Sequence, residues 1–235
     1  MSLISPDSEL SGSYLPSLKL SSDQSLQFAF GLSDLYKARY SEAWLPSNFP
    51  YDQYSTTLQI GVTNSINSHS IITNGKLSEI GFNKWLIDFP SNFSSMSPLL
   101  EIWPSNTLEN ESKNVSLPIS NKDVTIEVWK LKTSPIRLND QIDKIENYLV
   151  DNEKKYGEYI HGDRFVASFN GIGGMEYDGG TTTSTSALLH EIFHSWFARG
   201  IKPASHSDGW YDEGFTAFHD EGADDEVPLN FPNLP

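Results

Sequence analysis

Cysteine is absent from this chain of 235 residues. That excludes a disulfide framework and any thiolate metal site, so metal chemistry here must rest on nitrogen and oxygen ligands. Basic residues are scarce: 16 Lys and Arg face 31 Asp and Glu, a formal charge of -15, which disfavours nucleic acid and anionic membrane surfaces as partners. Long apolar runs are missing as well. No stretch approaches the ~18 apolar residues of a membrane span, and residues 1–7 hold no basic segment leading into an apolar one. The expectation is a soluble chain with neither membrane span nor export signal, its compartment and oligomeric state left open.

What is present is globular in composition, 37% apolar with 12% aromatic. The length allows one large or two modest domains. From about residue 24 to 130 the pattern has period two, as half-buried strands require. Leu26, Phe28 and Phe30 alternate with Gln27 and Ala29, Leu58, Ile60 and Val62 with polar residues and Gly61, and Val124, Ile126 and Val128 with Thr125 and Glu127. Asn74-Gly75 reads as a two-residue hairpin turn and residues 85–89 as another strand. The polar run 105–121 reads as an exposed loop. The Asn-x-Ser triplets at Asn92, Asn110 and Asn114 are no more than chance expects in so Ser- and Asn-rich a chain.

At Pro135 the period changes. Ile142, Ile145, Leu149 and Tyr156 recur at helical spacing and Gly157 follows, predicting a helix of about five turns. Residues 164–169 read as a strand. After it, Gly171-Ile172-Gly173-Gly174-Met175-Glu176 sheds side chains, so a substrate backbone can approach an edge there. A glycine-rich turn without a ligand is the plainer alternative.

The next stretch, His190-Glu191-Ile192-Phe193-His194, carries the chemistry. On a helix, residues four apart share a face, so the two imidazoles can meet one metal ion with Glu191 beside it. Ser184 or Ser186 can cap that helix, and Arg199 with Gly200 can close it. Glu213 follows His194 after 18 intervening residues within a second amphipathic stretch, 210–218. A catalytic zinc wants three protein ligands and one open position, which two His and one carboxylate provide.

The spacing resembles that of the gluzincin metallopeptidases, and the neighbouring words resemble the zinc aminopeptidases typified by aminopeptidase N. Glu213-Gly214-Phe215-Thr216 matches that family's run after the second histidine, and Gly173-Gly174-Met175-Glu176-Tyr177 is similar to its Gly-x-Met-Glu-Asn segment. Residues 40–46, 51–60 and 72–75 are weakly similar to its N-terminal domain. The resemblance implies an α+β chain. An antiparallel β domain (1–132) would precede the N-terminal part of a thermolysin-like zinc-peptidase domain (133–235) that lacks the C-terminal helical half. It further implies one Zn2+ on His190, His194 and Glu213, Glu191 as general base, and a peptide substrate with a free N-terminus. Glu176 would hold the substrate's α-amine, with Gly173, Gly174 and Met175 lining its path.

Three departures stand out. Met175 and His190 lie only 15 residues apart, Tyr177 and Asp178 replace the family's Asn and Pro, and the chain ends 22 residues after Glu213. The family's oxyanion-binding tyrosine therefore has no counterpart here. Tyr211 reads as packing, and His69, His161, His206 and His219 as ordinary histidines. The carboxylates of 220–226 read as a solvated face or helix end rather than a calcium loop. Two alternatives stay open. Arg199-Gly200-Ile201-Lys202-Pro203-Ala204 also resembles the glycyl aminopeptidases, and an incomplete zinc-binding or substrate-binding module would carry the same ligands.

Overall fold

A computed structural model describes residues 20–29, 53–94, 98–171, 173–202 and 210–220. The run 40–46, the residues Phe30, Ile172, Pro203, Ala204 and His206, and the carboxylates beyond Asp220 lie outside them. Two three-stranded antiparallel sheets form first. One has the order β1-β6-β3, from Leu26–Ala29, Leu99–Pro104 and His69–Ile72; the other has the order β2-β5-β4, from Thr56–Gly61, Lys84–Phe89 and Lys76–Gly81. Ile71, Trp85, Ile87, Phe89, Leu100 and Ile102 close a core between them.

Asn74-Gly75 does not turn a hairpin. β3 pairs with β6 while β4 pairs with β5, so this dipeptide carries the chain from one sheet to the other. Asn74 earns the position through its carboxamide, which is buried, donates to the Asp178 carbonyl (2.7 Å) and accepts from the Leu99 N–H (2.8 Å). The hairpin lies at Phe82-Asn83 between β4 and β5, with Asn83 at φ 52°.

A five-stranded sheet of order β10-β11-β9-β8-β7 forms the second half. Residues 105–121 are not a loop: β7 (Leu108–Ser116) pairs with β8 (Asp123–Leu131) along its whole length. Its side chains are polar because β7 is an edge strand with six consecutive exposed positions, and the backbone ladder supplies the order that composition does not show. Strands on both sides of residue 132 thus share one sheet. The change of period there marks the step from β8 to α1 (Leu138–Tyr156), which carries the chain over to β9 (Arg164–Phe169), parallel to β8.

β9 is central, and its alternation splits two cores. Phe165, Ala167 and Phe169 join Ile142, Ile145 and Leu149 of α1 and Leu188, Ile192 and Trp196 on the helical face. Val166 faces Ile72, Leu99, Trp103 and Tyr177, against the first β sheet. β10 (Met175–Tyr177) forms the sheet edge and turns back through β11 (Gly180–Thr182) into α2 (Leu188–Phe193); α3 follows at Glu213–Asp220. Among the described residues no helix is long and apolar enough to cross a membrane.

Because Asn74 satisfies two buried backbone groups between separate layers, N74A leaves both without that partner. The variant is expected to lose about 2–4 kcal/mol in urea unfolding, against less than about 0.5 kcal/mol for exposed S65A. Equal losses would mean that Asn74 does not tie the layers together.

Candidate metal and peptide site

α2 is shorter than the sequence predicts. Regular helix stops at Phe193, His194 caps it with φ -57° and ψ -17°, and the next N–H groups bond three residues back, Ser195 to Ile192 and Trp196 to Phe193. Ala198 then adopts φ 80° and the chain folds over itself, its N–H bonding the Ile201 carbonyl while the Ile201 N–H bonds that of Trp196. Gly200 seals the turn: a Cβ there would lie 2.5 Å from the Ser195 carbonyl oxygen. Neither Ser184 nor Ser186 caps the helix: the N-cap is Ala187, without a side-chain cap hydrogen bond, and Ser184 accepts the Ala187 N–H at 3.2 Å in the turn before it.

The tightening after Phe193 keeps His190 and His194 on one face, their Nε2 atoms 3.3 Å apart. α3 enters from the side, and Glu213 at its first position puts Oε2 3.3 Å from His190 Nε2 and 3.9 Å from His194 Nε2. Ligand bonds of ~2.0–2.1 Å in a tetrahedron imply ligand-to-ligand edges of about 3.3–3.4 Å. Two edges of this triangle of two nitrogens and one oxygen match that value and the third, 3.9 Å from Glu213 to His194, is longer, a set that a small movement of the exposed Glu213 carboxylate would close on a zinc-like ion. Glu213 is exposed and His194 fully buried, so the site is open on the Glu213 side.

Both imidazoles are braced from behind by carboxylates. Asp212 Oδ1 lies 2.8 Å from His194 Nδ1, and Asp220 Oδ2 lies 2.5 Å from His190 Nδ1. Each pairing directs Nε2 into the triangle and raises its basicity. Thr216, fully buried on α3, also approaches His194 Nδ1, at 3.3 Å. Asp220 is exposed at the end of α3 and still reaches His190. It stands seven residues after Glu213, two helical turns on, and that interval is the signal the sequence held for it; Asp212 carried none beyond its place next to Glu213.

The electrostatics follow from this crowding. Hydrogen bonding to Glu213 lifts His190 to about 9 against its burial, and the same contact lowers Glu213. His194 is also raised; burial opposes this, but the charge of Glu176 and the hydrogen bond to Asp212 outweigh it. Glu191 is pushed up to about 8, first by burial and then by the negative charge of Glu176.

Glu176 on β10 completes the cluster. It is buried, and its carboxylate, Glu191 and His194 offer atoms within 4.8 Å of one another. It pairs with Arg199, a residue the sequence presents as a helix end and as the start of the run that resembles the glycyl aminopeptidases. Gly174 is exposed yet constrained, since a Cβ on it would meet Glu191 Oε1 at 1.9 Å. Gly173 is exposed and Met175 half-buried, along the edge strand. The other described histidines, His161, His69 and His219, are structural. His161 is buried between Asp178 and the Ser195 carbonyl. His69 contacts the carbonyls of Asn67 and Gln24. His219 stacks on Phe193 at 3.9 Å between the hydroxyls of Tyr148 and Tyr156. Tyr211 packs on Phe197 and Phe215.

No family model matches the chain. Among curated proteins, aminopeptidase B of Rattus norvegicus and of Homo sapiens are each 31% identical over 87 residues, covering 32% of this chain and 13% of theirs. Among solved structures, a variant of a two-domain M1 zinc metallopeptidase bound to L-arginine superposes with a TM-score of 0.61 at 16% identity, over 83% of this chain and 46% of that one. The M1 zinc metallopeptidase of Deinococcus radiodurans gives 0.58 at 17% identity, over 80% and 46%. Legionella pneumophila aminopeptidase A gives 0.57 at 14%, over 74% and 23%. This chain therefore spans about half the length of the two-domain structures and about an eighth of the curated aminopeptidases. In fold it resembles the M1 zinc metallopeptidases, the aminopeptidase N family, as an N-terminal β domain joined to part of the peptidase domain.

Proposed function

We propose that the site belongs to a zinc-dependent peptidase that removes residues from the N-terminus of peptides. The observation that carries this reading is the triangle of His190, His194 and Glu213 beside Glu191, a metal-ligand set with an open side and a base next to it. A purely structural zinc site closes with four protein ligands and has no use for that base. Zinc held by His190, His194 and Glu213 would polarise the scissile carbonyl and lower the pKa of bound water toward ~7.

The remaining roles fall to the chain. Glu191 takes the proton of the attacking water and passes it to the departing amine nitrogen. Asp212 and Asp220 hold the two imidazoles in the tautomer that presents Nε2. β10, a sheet edge, can receive a substrate backbone as an added strand. Glu176, the middle residue of that edge, would face the substrate's α-ammonium. One of the similar structures holds a Tyr-Ser-Ala substrate, which supports a short peptide as ligand.

The direct test is to load the chain with zinc and follow product masses from matched peptides with free and acetylated N-termini. Loss of single N-terminal residues is expected. Internal cuts at equal rates in both sets would move the reading to an endopeptidase, and failure to bind zinc would end it. E191Q is expected to keep one zinc while turnover falls ~10²–10⁴-fold; undiminished turnover would remove Glu191 from the mechanism. D212A and D220A are each expected to weaken zinc affinity ~10–100-fold in a competitive chelator titration. Unchanged affinity in both would mean that the carboxylates do not brace the ligands.

A further inference from the structure

The carboxylate that would anchor a substrate amine already holds a cation of the chain itself. Arg199 Nη2 bonds Glu176 Oε1, Arg199 Nε approaches the Glu176 carbonyl at 3.5 Å, and both residues are about 95% or more buried. On its other side Arg199 Nη1 lies 3.9 Å from Asp212 Oδ2. Arg199 thus stands between the proposed amine anchor and the carboxylate that braces His194.

The segment that carries Arg199 is fixed: the Arg199 backbone N–H donates to the His194 carbonyl at 3.0 Å, and Lys202 Nζ donates to the Arg199 carbonyl at 2.5 Å while also contacting buried Asp178 at 3.0 Å. The strained Ala198 and the close-packed Gly200 fix the turn on either side. Removing one member of a buried, hydrogen-bonded ion pair strands the other charge, so the pair persists in the resting state.

We propose that Arg199 is a specificity-determining residue. It acts as a built-in counter-ion at Glu176, so that a substrate α-ammonium meets a carboxylate already neutralised and a like charge bound to it. The free N-terminus then adds little to binding, and the cleft accepts blocked N-termini nearly as well as free ones. This deepens the peptidase reading and rests on it for the identity of the ligand. Opposite charge at a carboxylate favours a cation and a resident cation cancels that preference.

The test uses L-leucinol, which carries an α-amine and no scissile bond, and N-acetyl-L-leucinol. Binding of each to the zinc-loaded chain is followed by calorimetry. In the wild type the two affinities are expected to agree within about 3-fold, and in R199Q the free amine should gain 10-fold or more over the acetylated compound. The double variant R199Q/E176Q, which strands no charge, should lose that gain. A purely structural Arg199 would shift the melting temperature without moving the ratio.

The proposal is overturned if the wild type already prefers the free amine 10-fold or more, if R199Q leaves the ratio unchanged, if the double variant keeps the gain, or if neither compound binds R199Q. The wild-type ratio decides even where R199Q fails to fold. Zinc content is measured separately. A chain that binds no zinc sinks the peptidase reading, and the leucinol ratio, taken on the metal-free chain, still decides the role of Arg199.

Discussion

Everything in the site turns on the contact between the Asp212 carboxylate and the His194 ring. His194 stands where α2 has just ended, fully buried, with a ring that could rotate about its side-chain bonds. Asp212 fixes it at 2.8 Å and in doing so pins the start of α3 against the end of α2. Glu213 is the next residue and inherits its position from that contact. One buried carboxylate thus orients one metal ligand and delivers another. The adjacent Asp220–His190 pairing repeats the arrangement two turns along α3.

Asp178 plays the matching part for the scaffold. Its carboxylate receives Lys202, the backbone N–H of Ser94 and the neighbourhood of His161, while its carbonyl takes the Asn74 carboxamide. These partners come from the β layers, the loop after α1 and the segment after α2. Burying a carboxylate is costly unless it is paired and hydrogen-bonded. The position next to Tyr177, which looked like a departure from the family's substrate segment, is a junction of layers.

The parts of this site that were legible in the sequence share a property: each repeats a spacing that chemistry imposes. His190 and His194 stand one helical turn apart, Glu213 offers the third ligand, and the alternation along β8 and the helical spacing of Ile142, Ile145 and Leu149 on α1 coincide with burial. What the sequence hid depends on tertiary partners. β7 looked like a loop because its order comes from the ladder to β8 rather than from apolar side chains. Asn74-Gly75 looked like a hairpin because turn propensity does not report which strands will pair. Arg199 looked like a helix end because nothing local tells that Glu176, 23 residues earlier in the chain, will lie beside it.

The central sheet has a consequence for how the site comes into being. β9 pairs in parallel with β8 on one side and with β11 on the other. A parallel neighbour cannot be reached by a tight turn, so β8 and β9 meet only after the whole of α1 has crossed over. Pairing of that kind is slow compared with hairpin closure because loop entropy is lost before contacts are gained. The ligand residues ride on elements that dock onto β9 and α1. Their triangle therefore depends on long-range pairing rather than on local sequence, because its donors come together only on a sheet whose central strands are joined through the α1 crossover.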